Sequence, residues 1–180
     1  MQYRIIRSDR KTVALQIREG EVIVRAPRAM RESEIAAFIK KHESWVQKKL
    51  SAQAKSDSEP PLSNEDIRAL ADRALQVIPP RVKYYAAVVG VHYNRVTVRN
   101  QKTKWGRCSG KGNLNFNCLL MLAPIEVLDS VIVNELCHLK HMNHSKAFYD
   151  EVLRAYPLYH KWNRWLKENG GALIRRMTQR

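Results

Sequence analysis

The chain has 180 residues, 44% hydrophobic and 27% charged, and its 32 Lys and Arg against 17 Asp and Glu give a net charge of +15. That length suits one domain with a core and a small appended lobe, and the charge either favours acidic partners (nucleic acid, nucleotides, acidic peptides) or serves solubility. No apolar run approaches the roughly 18 residues of a membrane span, Met1–Ile5 carries no signal-peptide core, and three cysteines suit a reducing compartment better than a disulfide framework, so a cytoplasmic protein is expected.

Three β-like runs open the chain: Tyr3–Ser8, Thr12–Glu19 and Val22–Ala26, the last ended by Pro27. Val13, Leu15 and Ile17 alternate with polar or smaller residues, as in a half-buried strand. Ile35, Phe38, Ile39, Trp45, Val46 and Leu50 fall near helical spacing, which predicts one helix from Arg31 to Lys55. Ser56–Asn64, rich in Ser and Pro, reads as a linker. The predicted organisation is therefore a β-rich lobe with its helix over 1–55, a linker over 56–64 and a core over 65–180.

After the linker, Glu65–Val77 reads as a helix that Pro79-Pro80 interrupts, with Pro80 starting another that Gly90 ends. Tyr93–Asn100 and Asn113–Leu120 read as strands. Pro124 opens a helix expected to reach Met142, with Val127, Leu128, Val131, Ile132 and Leu136 on its apolar side. Phe148–Ala155 and Tyr159–Asn169 supply two closing helices, the last stopped by Gly170-Gly171. No aromatic-plus-basic RNA signature or helix-turn-helix pattern is evident.

The chemistry concentrates in Asn134-Glu135-Leu136-Cys137-His138, followed by His144. The motif H-E-x-x-H places two histidines on one helical face to bind zinc and a glutamate between them as general base. Here Glu135 and His138 occupy their places, Asn134 stands where the first histidine would be, and His144 has the spacing of a third ligand after a turn at Met142-Asn143. His141, still on the helix, reads better as a solvent or backbone partner. Cys108 and Cys137 read as core thiols rather than surrogate ligands. Tyr149, Tyr159 and His160 are candidates for polarising a substrate carbonyl, with no spacing that selects among them.

Beyond the helix, Arg25–Pro27, the helix around Trp45, Arg99–Gly106, Gly112–Asn117 and Glu135–Phe148 make the chain resemble the YgjP-like metal-dependent hydrolases, relatives of the WLM, SprT and minigluzincin zinc peptidases, over essentially its whole length. The resemblance implies an α+β fold: a zincin-like metallopeptidase core with an N-terminal strand-rich lobe. It implies three histidine ligands to zinc, two falling on His138 and His144 and the missing one on Asn134, with Glu135 as the catalytic carboxylate. It implies hydrolysis of a peptide or protein substrate, impaired here by the lost ligand. The chain departs from the family pattern at Arg107-Cys108-Ser109-Gly110 and at Cys118-Leu119. In zincin-like folds the strand before the motif helix edges the cleft, so Trp105, Asn113, Asn115 and Asn117 are the expected substrate-binding residues, a peptide adding to that strand. Two alternatives stay open: nucleoside-triphosphate hydrolysis, and a non-catalytic protein that binds nucleic acid through its basic surface.

Overall fold

The computed structural model describes residues 2–18, 20–57 and 59–178. Of the predicted spans, Met1, Glu19, Ser58, Gln179 and Arg180 lie outside the described residues. The chain divides into two compact units, Met1–Glu59 and Pro60–Arg180.

In the first unit, β1 (Arg4–Ser8), β2 (Ala14–Arg18) and β3 (Glu21–Pro27) form a sheet in the order β1-β3-β2. The link from β2 to β3 needs a left-handed residue, which Gly20 supplies at φ 79°. Val24 and Ala26 of β3 pack on Ile35 and Ile39 of α1 (Glu32–Lys41). The single helix predicted over Arg31–Lys55 is two, α1 and α2 (Glu43–Asp57), broken at His42. The His42 Nδ1–H takes the Phe38 carbonyl at 2.8 Å, so a side chain claims an acceptor near the end of α1 and the chain turns.

The second unit begins with α3 (Asn64–Val89), capped by Ser63, whose hydroxyl accepts from the Asp66 amide. Pro79 and Pro80 lie inside this helix and do not interrupt it, contrary to the local reading. Each removes one backbone hydrogen bond, at about 3 kcal/mol for an interior proline. The carbonyls they orphan belong to Leu75 and Gln76, both exposed to water, while Ala74, Ile78, Val82, Ala86 and Val89 form a continuous buried stripe that holds the axis. Gly90 closes the helix in the left-handed region at φ 74°.

A second sheet follows: β4 (Arg95–Arg99), β5 (Gly106–Cys108) and β6 (Asn113–Asn117), in the order β4-β6-β5. Leu114 and Phe116 of β6 are fully buried against α3 and α4 (Ile125–Cys137), whose Val127, Leu128, Val131, Ile132 and Leu136 form the other side of the core. The strand predicted to reach Leu120 stops at Asn117 and becomes a 3-10 turn over Cys118–Leu122, because the Asn117 side chain caps the Leu119 amide. The chain closes with α5 (Lys146–Ala155) and α6 (Tyr159–Thr178). α6 runs straight through Gly170-Gly171, where a stop was expected. A Cβ on Gly170 would stand 2.9 Å from the Trp105 ring, so the glycine there serves close packing rather than termination.

Buried Asp129 of α4 takes Arg81 of α3 in a two-pronged pair, at 2.6 and 2.9 Å. The turn after α4 is tied down by Glu151 of α5, which accepts from Lys140 at 2.8 Å and Arg154 at 2.7 Å. The Arg154 and Lys140 hydrogen bonds hold the Glu151 carboxyl down at about 2, below its ordinary value of 4.5. A depressed carboxylate stabilises the fold fully above the unfolded pKa and loses that contribution as pH falls through the folded one. Glu151→Gln is therefore expected to cost about 1–2 kcal/mol at pH 7, discounted for its half-exposed partners. Urea titrations of both proteins should converge between pH 4.5 and about 2; a difference independent of pH would contradict this.

Candidate active site

α4 was expected to extend to Met142, but it ends at Cys137, with His138 at its C-cap and tighter bonds from Leu139 to Leu136 and from Lys140 to Cys137 turning the chain. This turn carries the backbone round to His144. The rings of His138 and His144 stand 4.8 Å apart at 81°. Phe148 lies behind both, stacked on His138 at 4.6 Å and edge-on to His144 at 4.8 Å. Ser145 caps α5 through the Phe148 amide, which sets that ring at the start of the helix. His138 Nδ1 lies 3.0 Å from the His141 carbonyl oxygen, so Nδ1–H donates and Nε2 is left with a lone pair. Burial, with His144 nearby, lowers the His138 pKa and favours the neutral ring, the form that binds metals.

Glu135, one turn earlier, is 8% exposed and so is nearly sealed, although a general base has to reach a bound water. Burial pushes its carboxyl up to about 7, against a backbone hydrogen bond from Cys108 and the charge of Lys104. The residue above it is Gly106 of β5, where a Cβ would fall 2.7 Å from Glu135 Cγ and 2.8 Å from Oε1. Sequence reasoning missed Gly106; its only signal was a glycine directly after Trp105, in a stretch without periodicity. Gly106→Ala is expected to cost about 1–3 kcal/mol by overpacking, since a buried carboxylate has little room to swing away. A thermal melt indistinguishable from that of the parent chain would show that the carboxylate is not pinned there.

The four residues expected to bind substrate have internal partners. Trp105 packs its indole on Gly170. Asn113 Oδ1 accepts from Asn94 Nδ2 at 2.8 Å, and Asn115 Oδ1 accepts from Thr97 at 2.7 Å. Asn117, fully buried, donates to the carbonyls of Gln101 and Lys104 at 2.7 and 3.0 Å. The reading of their strand as the edge of a cleft is corrected by the register: β6 pairs with β4 on one side and β5 on the other, so no peptide can add to it. β4 and β5 are the outer strands, and β5 is the one whose Gly106 stands against Glu135.

Asn134, half-buried, donates its amide Nδ2 to the Tyr159 hydroxyl at 2.9 Å. This contact separates Tyr159 from Tyr149 and His160, which join it in a looser ring cluster at 6.4 and 5.5 Å. Burial raises the Tyr159 hydroxyl to about 12. Cys137 is fully buried, its thiol pushed up to about 12 by burial. Cys108 is half-buried and its thiol is raised by burial and by Glu135.

A model of the YgjP-like family, metallopeptidase domain, matches residues 11–68 and 55–169. The chain belongs to that family. Its α+β fold is the zincin-like metallopeptidase core with a strand-rich N-terminal lobe, and a YgjP-like metallopeptidase domain implies hydrolysis with a metal, on a peptide or protein substrate. Among solved structures, this YgjP-like chain is similar to the metallopeptidase zymogen of Pyrococcus abyssi abylysin, at 21% identity and a TM-score of 0.47 over 51% of this chain and 94% of that one. No curated protein matches it. Among the described residues no helix is long and apolar enough to cross a membrane.

The residues present do not fit a fully liganded catalytic zinc. Such a site takes three protein donors and keeps one position for water. Among the described residues no group of three His, Cys, Asp or Glu stands together. His138 and His144 provide two nitrogens, and the adjoining side chain is a carboxamide already bonded to Tyr159.

Proposed function

We propose that this chain is a zinc-dependent peptidase by descent whose donor set is one ligand short, so that it holds zinc weakly and cleaves peptides slowly or not at all. Glu135 takes the general-base position, His138 and His144 two ligand positions, and Asn134 the third. The substrate strand lies along the unpaired edge of β5, where backbone pairing supplies affinity without selecting sequence. The observation that carries this reading is the hydrogen bond from Asn134 to Tyr159 beside two paired imidazoles, in a place where the family's chemistry calls for a third nitrogen.

The test is hydrolysis of a casein-like protein, in zinc-supplemented buffer, by the chain, by Asn134→His and by Asn134→His with Glu135→Gln. The parent should stay near the blank and the single variant should rise above it. The double variant should lose about 10²–10⁴-fold of that gain, the range for a general base. Cleavage by the parent equal to that of Asn134→His would refute the missing-ligand reading. Cleavage unaffected by Glu135→Gln would refute the assigned base.

A further inference from the structure

The outer face of the β4-β6-β5 sheet takes no part in the site. Register pairs Arg95 with Asn113, and sets both Thr97 and Arg107 against Asn115. Cross-strand partners project from the same face, and alternate residues from the other. The inner face sends Val96, Val98, Leu114 and Phe116 into the core and brings Gly106 against Glu135. The outer face therefore carries Arg95, Arg99 and Arg107 around Thr97, Asn113 and Asn115, on the side of the sheet away from Glu135.

This face offers hydrogen-bond donors and few acceptors. The three arginines are exposed, and none takes part in a salt bridge among the described residues. The side-chain oxygens of Asn113 and Asn115 are occupied by Asn94 and Thr97, which leaves their amide NH₂ groups to donate. No Asp or Glu occurs anywhere between Asp72 and Glu126. Three guanidiniums with amide donors between them, on strands that themselves carry no carboxylate, fit a ligand made of regularly spaced anionic acceptors.

We propose that this face binds the phosphodiester backbone of nucleic acid without reading its sequence, a function independent of the peptidase reading. An acidic peptide fits less well. Peptides dock through strand edges and through pockets for alternate side chains, and this is the middle of a strand face, with no apolar side chain to line a pocket. The face also carries no aromatic ring on which a base could stack, so phosphate contacts must supply the affinity. Such binding falls in the range of about 10⁻⁴–10⁻⁶ M at physiological salt and weakens steeply as salt rises.

The test uses the full chain and a fluorescein-labelled thymidine oligonucleotide, followed by anisotropy across a salt series. Each phosphate contact contributes about 0.7 to the slope of log affinity against log salt for a single strand, so Arg95→Gln with Arg99→Gln and Arg107→Gln should flatten that slope by about 2 and weaken binding by roughly tenfold or more at moderate salt. A control variant, Arg68→Gln with Arg73→Gln and Lys83→Gln, removes the same charge from exposed positions on α3; it should change the slope by far less. The replaced side chains are all exposed, and matching circular dichroism and melting temperatures would show that both variants fold. The proposal is overturned if the parent chain does not bind, if both variants weaken binding equally, or if polyglutamate displaces the oligonucleotide as well as unlabelled oligonucleotide does.

Discussion

Replacing Phe148 with alanine is expected to cost about 3–5 kcal/mol of stability. The ring is fully buried, and it backs both site histidines, at 4.6 and 4.8 Å. Removing it deletes apolar area and leaves a cavity beside the two imidazoles, whose tilt would then drift. Phe148→Leu keeps most of the volume and should cost less, though it loses the stacked contact with His138. Equilibrium urea unfolding would show the difference as a fall in midpoint with an unchanged slope. A loss of under about 1 kcal/mol for the alanine variant would mean that the site collapses freely onto the gap, and that the histidines are not held by this ring.

What the sequence disclosed depended on how far each feature was governed by its neighbours in the chain. The apolar spacing of Val127, Leu128, Val131, Ile132 and Leu136 picked five buried positions of α4, but the helix is buried nearly all round, with Asp129, Ser130, Val133, Glu135 and Cys137 covered as well. Alternation along Asn113–Asn117 likewise separated an inward Leu114 and Phe116 from a polar face. Strand order was not legible, because β5 is three residues of Gly-Arg-Cys with no periodicity, and so the wrong strand was taken for the edge. Pro79-Pro80 and Gly170-Gly171 misled for a shared reason: their local preference against helix is smaller than the burial of the helices that contain them. The pairing of His138 with His144 follows from a turn of fixed length, whereas the burial of Glu135 depends on Gly106, which no spacing rule connects to it.

Asn134→His is expected to raise zinc affinity by at least tenfold. Loss of an outer-shell partner alone typically costs about 10–100-fold in metal affinity or activity, and a direct ligand contributes at least as much. A carboxamide offers zinc only a neutral oxygen on a short side chain, whereas a neutral imidazole offers the nitrogen zinc prefers. His138 already has its Nδ1 fixed by the His141 carbonyl and its ring held neutral by burial. An imidazole at position 134 would join a partly ordered pair rather than assemble a site from mobile groups, so most of the gain should appear as affinity. The Tyr159 hydroxyl now bonded to Asn134 would be released or would take the new ring as its partner.

Competition against a chromophoric zinc chelator, run side by side on the parent chain and Asn134→His, measures this directly. The expected result is weak zinc binding by the parent and at least tenfold tighter binding by the variant. Equal affinity in the two proteins would contradict the account, because Asn134 would then not stand at a ligand position.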